Sequence, residues 1–69
     1  MLVRWEDGFE IQTSAHEGVM TLSANREGLL SLANILMDLA DESPGTHLHL
    51  DEHNSLEDGS IELIIERVG

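Results

Sequence analysis

His47, His49, Asp51 and His53 stand close together at the head of the run HLHLDEHNSLEDGSIELIIE, which extends from His47 to Glu66. In an extended segment alternate side chains share a face, so His47, His49 and Asp51 project together. Imidazole and carboxylate in that arrangement can converge on zinc or a similar divalent metal. A second chemistry sits just downstream, where Ser55 follows His53 and Asn54. A hydroxyl near an imidazole is half of a nucleophile–base arrangement, but no third group to orient the base is identifiable, and the segment does not read as catalytic. The third chemistry is electrostatic. Asp51, Glu52, Glu57 and Asp58 fall within eight residues that hold no cation. They form an acidic face for a basic partner, with His53 and Asn54 as hydrogen-bonding groups and Leu56 as a small apolar anchor. A solvated turn accounts for the same residues without any partner.

The whole chain shares that charge. Among 69 residues, 14 carboxylates face three arginines and no lysine, for a formal net charge of −11. Nine of the acids lie from Asp38 onward against Arg67 alone, a net of −8. Direct binding of nucleic acid or an anionic membrane surface is therefore not expected, because each phosphate contact needs a cation. A basic protein would be attracted by the same field. With no cysteine, disulfides and thiolate metal sites are excluded. The N-terminus lacks a basic segment followed by an apolar run, and no stretch approaches the ~20 apolar residues of a membrane span, so a cytoplasmic location is expected.

The elements that must position these residues follow from periodicity. Leu2 to Trp5 reads as a short edge strand, and Asp7-Gly8 as a turn. Phe9, Ile11 and Thr13 alternate with polar residues as in a half-buried strand. Val19 to Ala24 is the next strand, with Met20, Leu22 and Ala24 on the expected core side. Asn25 is a helix N-cap and Glu27 a favourable first-turn charge. Leu29, Leu32, Ala33, Leu36, Leu39 and Ala40 then repeat at helical spacing, with Met37 expected as core filler. Asp38, Asp41 and Glu42 oppose the dipole at the helix end, and Pro44-Gly45 stops it. Thr46 to Asp51 is a fourth strand and Ile61 to Val68 a last one, with Asp58-Gly59 turning between them. The expected architecture is one small α+β domain over residues 1–69. In it a mostly antiparallel sheet of four to five strands, in the order ββ(β)αββ, carries one long helix across one face. A free edge on the last strand would permit a weak homodimer, opposed by charge; otherwise the chain is monomeric.

Three families share pieces of this pattern. The spacing from His47 to His53 is similar to the HxHxDH signature of metallo-β-lactamase-type hydrolases, except that Glu52 intervenes and the fold needs far more chain. Asn54-Ser55-Leu56 resembles the Asp-Ser-Leu motif of acyl carrier proteins, whose serine bears phosphopantetheine. Asn54 stands in the place of its aspartate, and Gly59 falls where its helix should run. The runs GLLSLANILMDLA, HLHLD and NSLEDGSIELIIE, within Gly28 to Glu66, resemble a small bacterial immunity protein family of polymorphic toxin systems, immunity protein thirty-two. Asn54 to Ser60 is the specific part. This last resemblance implies a cytosolic, non-enzymatic protein that binds and neutralises a toxin effector. It assigns no contact residue and no cofactor. The reading drawn from it is an acidic face occupying a basic, nuclease-like cleft through Asp51, Glu52, His53, Asn54, Leu56, Glu57 and Asp58. Its alternative is a small structural or self-associating domain without inhibitory role. Weak metal candidates remain His47, His49, Asp51 and His53.

Overall fold

A computed structural model describes all residues, 1–69. Its elements are β1 (Ile11–His16), β2 (Val19–Ala24), α1 (Arg26–Ala40), β3 (His47–Leu50) and β4 (Leu63–Glu66). β1 and β2 form an antiparallel hairpin with Ile11 opposite Ala24 and His16 opposite Val19. Glu17 and Gly18 close it with φ of 49° and 78°. Two consecutive positive φ values match the right-handed twist of paired strands, which is why glycine occupies the second position.

The single sheet of four to five strands does not form. Two separate two-stranded sheets take its place, β1–β2 and β3–β4. The segment that would join them runs beside β1 but breaks the ladder. The Glu57 amide donates to the Ile11 carbonyl at 2.8 Å and the Ile61 amide to the Thr13 carbonyl at 3.3 Å. Between those bonds the chain turns at Asp58-Gly59, where Gly59 has φ of 86°. Side chains fill the gap: the Thr13 amide donates to Ser60 Oγ at 3.1 Å, and the Thr13 hydroxyl donates to the Ile61 carbonyl at 2.6 Å. Thr13 is buried yet fully satisfied. The last strand is correspondingly short.

Leu2 to Trp5 is likewise not a strand. It is a strap along the helix. Arg4 grips the Asp38 carboxylate with two guanidinium nitrogens at 3.0 and 3.2 Å, and the Glu6 amide donates to Ser31 Oγ at 2.8 Å. Trp5 and Phe9 stack with ring centroids 4.5 Å apart and pack on the core.

α1 begins at the expected cap. Asn25 Oδ1 accepts from the amides of Gly28 and Glu10, and its Nδ2 donates to the Gly8 carbonyl. One side chain thus satisfies a helix N-terminal donor and fixes the approach to β1. The buried stripe is Gly28, Ser31, Leu32, Ile35 and Leu39. It is rotated from the sequence-based one: Leu29 and Leu36 are more than half exposed and Met37 is 68% exposed rather than core filler. Two small residues explain the rotation. A Cβ at Gly28 would collide with the Glu10 carbonyl oxygen and crowd Ile11 Cγ1, so glycine lets the helix approach the hairpin. Ser31 is small enough to sit under the strap while its hydroxyl donates to the Glu27 carbonyl. Met20 and Leu22 stay exposed although they share a face with Ile11 and Thr13, whereas Ala24 packs on the core beside Gly28.

The charge conflict at the helix end is relieved from far along the chain. Arg67 Nη1 donates to the carbonyls of Ala40 and Glu42 at 2.6 and 3.0 Å. The Arg67 backbone also bonds Thr46 and Gly45. A cation thereby reaches carbonyls that carry the negative pole of the dipole.

Gly28→Ala is expected to destabilise the domain by about 1–3 kcal/mol, although alanine favours helix, because backbone cannot yield as a flexible side chain would. Arg67→Met should cost about 1.5 kcal/mol or more by leaving charge-assisted bonds unmade. Urea unfolding followed by circular dichroism checks both; equal or raised midpoints would contradict these roles.

Candidate functional site

The acidic segment is a folded loop rather than a loose turn. The Asp51 carbonyl accepts from the amides of Asn54, Ser55 and Leu56 at 3.3, 3.1 and 2.9 Å. Asp51 Oδ1 accepts from the His53 amide at 2.8 Å. Asn54 sits at the centre. Its Oδ1 accepts from the Asp51 amide and the Ser55 hydroxyl, and its Nδ2 donates to the His49 carbonyl at 2.9 Å. Glu52 Oε2 closes the far side by accepting from the Gly59 amide at 2.7 Å. These side-chain bonds to backbone are what Asn and Asp supply in tight turns.

Leu56 anchors the loop from inside. It is 5% exposed and packs with Ile11, Leu32, Ile35 and Leu50. The side chain read from sequence as an anchor for a partner is therefore occupied within the protein. Glu52, His53, Asn54, Glu57 and Asp58 are exposed, and Asp51 is half-buried. Glu57 holds two positions at once: its backbone is tied to β1 while its carboxylate faces solvent.

The metal candidates are not brought together. His47 and His49 are neighbours on β3, with rings 5.2 Å apart edge to face. His47 Nδ1 lies 2.9 Å from the Gly45 carbonyl, and His49 Nδ1 lies 3.4 Å from Glu62. The Asp51 carboxylate is engaged with the loop, and His53 lies beside Glu52 at 3.8 Å. No three of these groups meet in a metal-holding arrangement. Ser55 donates its hydroxyl to Asn54, within a turn rather than at a helix start. Elsewhere a shallow groove lies between the end of α1 and β4, lined by Leu36, Leu39, Ala40, Ile65 and Val68. No helix is long and apolar enough to cross a membrane.

Sequence reading placed Ser60 within the specific motif as a turn residue, but missed its bond to Thr13 and the place of Glu62. Ser60 and Thr13 stitch the loop to β1 across 47 positions, and Glu62 stands beside His49. Asp58-Gly59 marked the turn, but nothing local marks a hydroxyl that will replace a ladder bond.

Compared with known proteins, residues 19–68 match the family model described as Immunity protein 32. No curated protein and no solved structure matches. The matched stretch takes in β2, α1, β3, the acidic loop and β4.

Asn54→Asp is expected to loosen the loop although it changes only an amide to a carboxylate. It removes the donor to His49 and sets negative charge against that carbonyl, at a cost of about 1–3 kcal/mol. Amide exchange from Glu52 to Ser60 should speed up; unchanged exchange would mean that Asn54 does not organise the segment.

Proposed function

The chain belongs to the Immunity protein 32 family, and from that we propose that it neutralises a protein toxin by seating the acidic loop in a basic cleft. The observation that carries this reading is the loop itself. Exposed carboxylates of Glu52, Glu57 and Asp58 ride on a backbone fixed at Asp51, Asn54 and Leu56. Such a surface loses little conformational entropy when it binds, and pre-ordering favours affinity.

Charge decides the kind of partner. Two of the three arginines are engaged internally, Arg4 with Asp38 and Arg67 with helix carbonyls. The net charge of −11 is thus displayed with little cationic relief. A toxin that acts on nucleic acid needs a cationic cleft for phosphate, and a rigid row of carboxylates is complementary to it. Occupying that cleft blocks substrate without any chemistry by the inhibitor, so the protein acts as a stoichiometric binder in the cytosol. Glu52, Glu57 and Asp58 make the contact, His53 adds a hydrogen-bonding group at the rim, and Asp51 and Asn54 hold the loop.

The test is kinetic. Changing Glu52, Glu57 and Asp58 to their amides keeps shape and acceptor oxygens while removing charge. Association with its cognate toxin should slow about ten-fold or more, and wild-type association should fall steeply as salt shortens the screening length below ~8–10 Å. The exposed acids Glu6, Asp7, Glu10 and Glu17, changed in the same way, control for net charge. Equal slowing by both sets would place the contact elsewhere, and no slowing by either would end the charge-driven reading.

A further inference from the structure

We propose that β2 is a self-pairing edge, through which two copies of this chain join β2 to β2 about a two-fold axis at Leu22. Backbone alternation identifies the free groups. Ile11 and Thr13 of β1 bond Glu57, Ser60 and Ile61, whereas the Glu10 backbone bonds Asn25. Successive residues of a strand face opposite neighbours, so Gln12, Ser14 and His16 bond β2 through their partners Ser23, Thr21 and Val19. Met20, Leu22 and Ala24 therefore aim their N–H and C=O groups outward, and no other backbone bond reaches them.

This edge lacks the usual protections. Exposed edge strands are commonly guarded by charge, proline or a bulge. Val19–Ala24 carries no charged residue and no proline, in a chain with 14 carboxylates. Val19, Met20 and Leu22 are 62%, 69% and 43% exposed. The other sheet is different: β3 has four residues, carries His47 and His49, and yields the His49 carbonyl to Asn54, while β4 carries Glu66.

Charge placement selects a second copy as the occupant. A basic partner is drawn to the carboxylates, and β2 offers it none. The acidic loop lies across the opposite edge of β1 from β2. Pairing at β2 consequently sets the two loops at the far ends of a four-stranded β1–β2–β2–β1 sheet and leaves both open. An axis at Leu22 satisfies all three outward residues of each strand. Leu22 then faces its own counterpart, Met20 faces the small Ala24 of the second copy, and Thr21 faces its Ser23. No like charges are directly opposed, which in strand pairing is destabilising. A six-residue edge is smaller than the ~1,200–2,000 Å² of a standard stable interface. The pair is accordingly weak and tightens as salt screens the repulsion of two −11 chains.

Sedimentation of the full chain at increasing concentration, in low and high sodium chloride, tests this. The expected result is a monomer–dimer equilibrium that strengthens with salt. Leu22→Glu, and separately Met20→Glu at the most exposed large apolar residue of β2, should each weaken it about ten-fold or more with circular dichroism unchanged. The chain has no cysteine, so Leu22→Cys should give a clean disulfide-linked dimer on mild oxidation while Met37→Cys on the exposed helix face does not. A chain that stays monomeric at high salt, or a dimer indifferent to both glutamates, would overturn the proposal. So would a monomer whose toxin binding is weakened by Leu22→Glu, since the edge would then belong to the toxin.

Discussion

At Ile11 the pieces of this protein meet, and the rest of the structure depends on that junction. Its side chain is fully buried among Leu32, Ile35, Leu50 and Leu56. Its carbonyl holds the Glu57 amide, and the backbone just before it is pressed against Gly28 of the helix. Hairpin, helix and acidic loop are thus joined at one residue. Because the two sheets share no ladder, the Glu57–Ile61 segment and the core around Leu56 carry the connection between them. A small domain buries only about 60% of its unfolded surface, so few other contacts are available to do this.

The same junction couples stability to charge display. Carboxylates crowded on a loop repel one another and favour an open chain. Here inward Leu56, the Asn54 bonds and the Glu52–Gly59 bond oppose that repulsion. Leu56 orders the loop from within and Asn54 and Glu52 by bonds to its backbone, while the carboxylates of Glu57 and Asp58 stay exposed. Arg67 resolves a parallel conflict at the end of α1, where Asp38, Asp41 and Glu42 lie near carbonyls that already bear negative charge.

Local signals in the sequence were legible where the cause is local. The Asn25 cap, the bounds of β2 and the Asp58-Gly59 turn all rest on neighbouring residues, whereas α1 ends at Ala40, ahead of the expected stop at Pro44-Gly45. What depended on distant partners was not. The inward face of α1 is set by Gly28 against Glu10 and by Ser31 under the strap, and neither scores as apolar. Leu2–Trp5 has a strand-like pattern but is drawn to the helix by Arg4 and Asp38. Ser60 takes the place of a ladder bond, which divides the expected sheet in two. Leu56 sits amid polar residues, and its burial follows from how the loop folds over Ile11. The carboxylates themselves were plain from sequence, as was the family resemblance now supported by the match over residues 19–68.

Hydrogen exchange of the chain alone and in complex with its toxin tests the central claim most directly, because it reads the contact surface without altering any residue. If the pre-ordered acidic loop is the docking element, binding should slow exchange across Glu52 to Ser60 and leave the exposed helix face around Leu29, Leu36 and Met37 unchanged. Protection of that helix face, or of the outer face of β3 and β4 around His47, His49 and Ile64, with the loop unaffected, would contradict it.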